Sequence, residues 1–179
     1  MSYETLLYDM TDGIAEIRLN RPQRLNAVTQ QLYDELNAAL TRAEAARDDF
    51  MLIAESAQIG LPEISIGNFL GGGVTWLLPR LVGLAKAREL VFLGERIKGE
   101  EAVRIGLANR VYPDEGFLDA ARAFAREVAG KAPFSMQLAK EQLNKSAERT
   151  LDACLTAELE GMMFVGTTRD WQEGVDAFA

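Results

Sequence analysis

The side chains that could carry acid–base chemistry in this sequence are carboxylates, lysines, tyrosines and a single cysteine, because the chain contains no histidine. The absence of histidine excludes Ser-His-Asp and Cys-His nucleophile systems and the HExxH type of zinc site. If the protein is an enzyme, a positioned Glu or Asp is therefore the favoured general base.

Taken singly, the acidic residues do not point to a site. Glu63 follows Pro62 in a loop-like segment, and a Pro-Glu pair by itself is usually a solvated surface feature. The acidic pairs at residues 48–49 and 100–101 fit a loop and a helix start. None of these groups has the spacing of metal ligands, so we predict no metal site.

Composition and charge narrow the class of protein. The chain has 179 residues, enough for one domain or for one domain with a small appendage. Its net charge of −8 argues against a broad nucleic-acid surface, which needs clustered Lys and Arg. No apolar run reaches the roughly 18 residues of a membrane span, and the N-terminus does not resemble a secretory signal. We therefore predict a cytoplasmic protein that does not enter a membrane.

Strand patterns crowd the first part of the chain, and helical patterns fill the last third. Residues 13–19 alternate apolar and polar and predict a strand, with residues 6–8 as its hairpin partner. Thr29 fits the N-cap of a helix reaching about residue 46, and residues 50–54 are typical of a buried strand. Further helices are predicted at residues 74–93 with a break at Gly83, 99–106, 117–129, 133–144, 151–163 and 168–178, with a brief strand at 109–112.

Several segments resemble the enoyl-CoA hydratase/isomerase (crotonase) family and occur in that family's usual order. They are residues 19–27 (LNRPQRLNA), 56–64 (SAQIGLPEI), 71–83 (GGGVTWLLPRLVG), 93–97 (LGERI), 102–111 (AVRIGLANRV) and two helical stretches at 133–144 and 169–178. One such motif is weak evidence. This many, in sequence and over nearly the whole chain, make a strong resemblance.

The resemblance implies an α/β fold, a crotonase-like spiral of β-β-α units with a helical C-terminal region. We place the core at residues 1–116 and the helical region, expected to serve in oligomerisation, at residues 117–179. A homotrimer or a dimer of trimers is the assembly that the family implies. The apolar faces of the last helices agree with this, although burial within the chain fits them equally.

The same resemblance implies a catalytic role for Glu63. Many hydratases and Δ3,Δ2-enoyl-CoA isomerases place a carboxylate at the matching position, beside the α and β carbons of the substrate. Moving a proton next to a thioester carbonyl requires such a positioned base. The negative oxygen that develops must in turn be stabilised by fixed hydrogen-bond donors.

Two further segments are implied to hold the substrate. In relatives, the turn that matches Arg24, Leu25 and Ala27 holds the pantetheine and adenine region of coenzyme A through its backbone. Arg24 could also face a phosphate. No separate cofactor is expected, because coenzyme A is part of the substrate.

The glycine-rich loop matches the family loop that lines the acyl pocket. We expect Asn68 and Phe69 to contact the acyl group there, with Gly71 in the same loop. In relatives similar to epoxyphenylacetyl-CoA isomerase, the position that matches Gly71 carries a catalytic Asp. That chemistry is therefore not expected here.

One departure from the family pattern is large. Two segments that normally precede the strand at residues 50–54, an F-x-x-G-x-D loop and a G-x-x-x-G-G-G-x-E turn, have no counterpart near residues 49–50. They carry the backbone N–H groups of the oxyanion hole, and the second often carries another catalytic Glu. Either residues of a longer protein are missing from this sequence, or the chain is a shortened form.

The resemblance and the two segments without a counterpart leave three alternative functions. The first is hydration of a 2-enoyl-CoA thioester with Glu63 as acid/base. The second is Δ3,Δ2-enoyl-CoA isomerisation by Glu63 alone. The third is an inactive crotonase-like protein that binds acyl-CoA or serves as a scaffold subunit.

Overall fold

The computed structural model describes residues 3–12, 14–24, 26, 28–43 and 50–178. The chain divides into a middle unit, Leu40–Ala123, and a discontinuous unit made of Met1–Ala39 and Phe124–Ala179. The domain division that we predict after residue 116 stays a prediction.

The described elements alternate short strands and helices before a run of helices. In chain order they are β1 (Leu6–Thr11), β2 (Ile14–Leu19), α1 (Gln30–Arg42), β3 (Leu52–Ala54), β4 (Gln58–Ile59), α2 (Val74–Val82), α3 (Leu84–Leu93), β5 (Ile97–Lys98), α4 (Gly99–Arg104), β6 (Arg110–Tyr112), α5 (Phe117–Ala129), α6 (Pro133–Lys145), α7 (Leu151–Val165) and α8 (Arg169–Phe178). The predicted helices and hairpin are thus confirmed, including the helix break at Gly83. The predicted end of the first helix near residue 46 lies outside the described residues, and the two-residue strand β5 was not predicted.

The discontinuous unit begins with the β1–β2 hairpin, which is antiparallel with Leu6 opposite Leu19. The carboxylate of Glu35 in α1 accepts hydrogen bonds from the Thr5 hydroxyl at 2.6 Å and the Thr5 N–H at 2.9 Å. These hydrogen bonds, the hydroxyl's most of all, hold the pKa of Glu35 below its ordinary value. Thr29 caps α1 as predicted, since its hydroxyl oxygen accepts the Leu32 N–H at 3.2 Å.

The middle unit is built around two short strand pairs. Strand β3 runs parallel to β6, and β4 runs antiparallel to β5. At one end of the β3–β6 pair, Asn109 forms two hydrogen bonds with Met51. The Asn109 N–H donates to the Met51 carbonyl oxygen at 2.8 Å, and Asn109 Oδ1 accepts the Met51 N–H at 2.7 Å. Beyond the other end of this pair, the Ser56 hydroxyl donates to the Asp114 carboxylate.

Two small apolar clusters form the core of the middle unit. One joins Ile53, Ala102 and Ala108, and so packs β3 against α4 and the turn that follows it. The other consists of Leu78 on α2 with Ala87 and Leu90 on α3. The break at Gly83 makes α2 and α3 separate helices, and the second cluster packs them against each other.

An ion-pair network joins α3 to α4 on the surface of the middle unit. The Arg104 guanidinium contacts both oxygens of Glu101, at 2.6 and 2.7 Å, and Lys86 Nζ lies 3.5 Å from Glu101. The Arg104 contact, with Lys86 adding to it, lowers the pKa of Glu101. Because the folded pKa lies below the unfolded one, the network stabilises the protein above about pH 4.3 and loses this effect as the pH falls further.

Replacing Glu101 with Gln is therefore expected to lower the urea midpoint of the middle unit more at pH 7 than at pH 3. The fluorescence of Trp76 reports this unit alone if Trp171, the other of the two tryptophans, is replaced with Phe. The exposed Glu115, changed to Gln, is the control, because it lies in the same unit and outside the ion-pair network. An equal loss at both pH values would contradict the role of the ion pair.

Candidate active site

The loop between β4 and α2 carries Glu63 and the predicted acyl-contacting residues. It leaves the β4–β5 pair at Gly60, where the chain passes close to the backbone that precedes β5. A Cβ built on Gly60 would lie 2.9 Å from Arg96 Cγ and 3.3 Å from the Glu95 carbonyl oxygen. The start of the loop is therefore held against residues 95–96.

The backbone around Glu63 is tied into a tight turn. Glu63 precedes a single turn of 3-10 helix at Ile64–Ile66, and its carbonyl oxygen accepts the N–H groups of Ile66 at 3.2 Å and Asn68 at 2.8 Å. Gly67 ends this turn with φ +71°, a left-handed conformation that glycine adopts without steric cost. Sequence reasoning treated these residues as plain loop and missed the helical turn.

The Glu63 carboxylate has an unusual environment. Its Oε2 atom is buried and has no hydrogen-bond partner among the residues that the structure describes. Buried polar atoms are nearly always paired, because an unpaired one loses its hydration without compensation. The described residues therefore leave this acceptor of the Glu63 carboxylate unused.

An apolar cavity of about 170 Å³ opens in the same unit, and the Glu63 loop forms part of its wall through Gly60 and Leu61. The remaining lining is aliphatic: Ile59, Val74, Leu77, Leu78, Leu81, Leu90, Ile97 and Leu107. A cavity of roughly 150 Å³ can hold a benzene-sized molecule. The space therefore suits a short hydrocarbon chain and disfavours a charged group.

The three predicted acyl-contacting residues lie in the Glu63 loop. Asn68 uses its side chain locally, since its Oδ1 accepts the Phe69 N–H at 2.8 Å. The Phe69 side chain is 75% exposed, and a Cβ built on Gly71 would meet open space. The structure brings these residues onto one loop with Glu63, and their contact with a substrate stays a prediction.

The predicted coenzyme A turn belongs to the discontinuous unit. Arg24 is exposed at the end of a 3-10 helix, Pro22–Arg24, and its N–H donates to the Arg21 oxygen at 3.0 Å. Asn26 has φ +55° and closes the turn by accepting the Arg21 N–H at 2.8 Å. Leu25 and Ala27 lie outside the described residues.

Sequence reasoning missed the surroundings of the Glu63 loop. The aliphatic residues of the cavity come from distant parts of the chain, and no local pattern predicts that they share one space. Gly94 was quoted as part of a motif without a role, yet it lies against the loop. Among the described residues, no group of acidic, Cys or His side chains could hold a metal ion, and no helix is long and apolar enough to cross a membrane.

Comparison with known proteins indicates the family to which the chain is similar. A family model described as enoyl-CoA hydratase/isomerase matches residues 45–179. The short-chain-enoyl-CoA hydratase of Clostridium acetobutylicum is 32% identical over 130 residues, which are 73% of this chain and 50% of that protein. The chain thus spans about half the length of this relative.

A longer alignment bears on the missing segment. A probable enoyl-CoA hydratase of Rhizobium meliloti is 29% identical over 246 aligned positions, which cover 99% of this chain and 96% of that protein. Because this chain has 179 residues, at least 67 of those 246 positions have no counterpart in it. An internal segment of that relative is therefore absent here; its position near residues 49–50 stays a prediction.

A solved structure shows the fold. The crystal structure of an enoyl-CoA hydratase from Bacillus anthracis matches with a TM-score of 0.89, over 98% of this chain and 96% of that chain, at 24% sequence identity. This agreement confirms the predicted α/β, crotonase-like fold. With the family model matching three-quarters of its length, the chain belongs to the enoyl-CoA hydratase/isomerase family.

Proposed function

We propose that the protein hydrates 2-enoyl-CoA thioesters and that Glu63 is the acid/base. The observation that carries this proposal is the buried, unpaired Oε2 of Glu63, on a loop that also lines an aliphatic cavity. A catalytic base must be free to accept a proton from the reacting molecule, and an apolar cavity lined by the same loop can hold the acyl chain.

The reaction adds the elements of water across a carbon–carbon double bond. The Glu63 carboxylate takes a proton from water as the water oxygen bonds to the β carbon, and the Glu63 carboxyl then gives this proton to the α carbon and returns to its ionised form. Atoms and charge balance without any cofactor beyond the coenzyme A of the substrate. The 170 Å³ cavity favours short acyl chains, because a long chain would leave most of its carbons outside.

Other parts of the substrate are assigned by resemblance. We propose that the turn at Arg24, with Leu25 and Ala27, holds coenzyme A, and that Asn68, Phe69 and Gly71 border the acyl group. We also propose a trimer or a dimer of trimers. Supporting this assembly, α7 exposes a set of large apolar side chains: Leu151, Leu155, Leu159, Met162 and Met163. A cytoplasmic location stays our prediction.

Isomerisation is the second candidate, because it needs a single carboxylate. Glu63 would remove a proton from the α carbon of a 3-enoyl thioester and return it to the γ carbon. The buried Oε2 supports this role equally well. The third candidate, a binding or scaffold protein without turnover, is favoured by the internal segment that this chain lacks.

The purified chain, verified by an intact mass of 19.7 kDa, distinguishes the three candidates. Loss of the enoyl absorbance of crotonyl-CoA, with formation of the 3-hydroxy product, supports hydration. Conversion of a 3-enoyl-CoA to its 2-enoyl isomer supports isomerisation. Calorimetric binding of a saturated acyl-CoA without either reaction would support the scaffold and overturn the proposed enzyme.

A further inference from the structure

The loop that carries Glu63 lies on a glycine at the end of a neighbouring helix. Gly94 ends α3 with φ +62°, and its N–H donates to the Leu90 carbonyl oxygen at 3.1 Å. A Cβ built on Gly94 would lie 2.7 Å from Ser65 Oγ, 3.3 Å from Pro62 Cα and 3.5 Å from the Leu61 oxygen. The loop therefore occupies the space that a side chain at position 94 would need.

These contacts fall on both sides of Glu63. Pro62 precedes it and Ser65 lies two residues after it, so any atom added at Gly94 pushes the segment between them. Glu63 has little room to compensate, because its carbonyl oxygen is already bound by the N–H groups of Ile66 and Asn68. Helix α3 also contacts the 3-10 helical turn directly.

We propose that Gly94 is a positioning residue for Glu63: by lacking a Cβ, it lets the loop lie against the end of α3 and so sets the place of the carboxylate. This inference rests on the proposed function, since Gly94 acts on the reaction only through Glu63. The close contact between Gly94 and the loop does not depend on the proposed function and can be tested without measuring turnover.

A Cβ at 2.7 Å from the Ser65 oxygen is about 0.7 Å closer than an ordinary contact, and Pro62 Cα at 3.3 Å is also tight, so the Ser65 side chain and the adjoining loop must shift. A misplacement of about 1 Å can cost roughly a hundredfold in rate. Gly94→Ala is therefore expected to lower kcat for enoyl-CoA hydration by about 10- to 100-fold. KM should change by less than about threefold, because the aliphatic lining that binds the acyl chain is retained.

A double variant distinguishes an altered position of Glu63 from a general loss of stability. Removing the Ser65 hydroxyl in Gly94→Ala/Ser65→Ala takes away the closest atom and should restore most of kcat. Ser65→Ala alone should resemble the parent protein. Gly116→Ala is the matched control, because Gly116 also has a left-handed φ, +78°, but faces open space. Gly94→Asn adds the same Cβ with less left-handed strain and provides a second variant if Gly94→Ala folds poorly.

Amide NMR gives a readout that does not depend on turnover. In Gly94→Ala, the Ile66 and Asn68 amide signals, whose N–H groups bind Glu63, should shift and exchange faster with solvent, and Ser65→Ala should reverse both effects. If the parent protein has no hydratase activity, the proposed function is wrong. The NMR comparison still tests whether Gly94 positions the loop that carries Glu63. Unchanged amides in Gly94→Ala, or no rescue by Ser65→Ala, would overturn the inference.

Discussion

Replacing Glu63 with Gln is expected to lower kcat for crotonyl-CoA hydration by about 10²- to 10⁴-fold, the usual contribution of a general acid or base. The amide has nearly the same shape as the carboxylate but cannot take up a proton at neutral pH. The buried Oε2 of Glu63 has no hydrogen-bond partner among the described residues, so we expect the substitution to act on the reaction and not on a hydrogen bond within the fold. Initial rates at saturating substrate measure the effect.

The matched control for this prediction is Glu115→Gln, an exposed carboxylate in the same unit. It should retain the parent rate. Calorimetry with a saturated acyl-CoA should show that Glu63→Gln still binds the ligand, because the aliphatic lining is intact. Normal turnover of both crotonyl-CoA and a 3-enoyl-CoA by Glu63→Ala would remove Glu63 from the mechanism.

Leu78→Ala is expected to destabilise the middle unit by about 2–5 kcal/mol, the cost found for emptying a packed leucine site. Leu78 is 6% exposed and packs with Ala87 and Leu90 between α2 and α3. It also lines the aliphatic cavity, so the truncation would enlarge a space that is already unfilled. Urea unfolding followed by Trp76 fluorescence, in the Trp171→Phe background, measures the loss.

Leu84→Ala is the comparison for this stability effect. Leu84 is 55% exposed on α3 in the same unit, and its truncation should change the unfolding free energy by no more than about 0.5 kcal/mol. A similar, small change for Leu78→Ala would mean that α2 and α3 do not depend on this cluster. A change in the urea m-value would instead point to altered compactness of the unfolded chain.

Much of the local structure could be predicted because its causes are local. The hairpin partners are close in sequence, and the alternation of residues 14–19 sets which side chains share a face. Thr29 caps α1 because a hydroxyl at that position can reach the third N–H of the helix. The break at Gly83 separates α2 from α3 at the position that the glycine indicates.

The site could be predicted only in part. Motif resemblance selected Glu63, Asn68, Phe69 and Gly71, which do share one loop. It did not show that one carboxylate oxygen is buried without a partner. Burial and hydrogen bonding depend on groups far away in sequence, and no local pattern encodes them.

The sequence alone narrowed the chemical options: without histidine, a carboxylate is the favoured base, and the ordered motifs resemble one family and predict that an internal segment is missing. Only the tertiary structure decided where the loop of that carboxylate lies, against Gly94 and along one wall of the aliphatic cavity. The physical reason is that residue type fixes which proton transfers are possible. Position and desolvation, in contrast, arise from packing between segments that meet only in the folded chain.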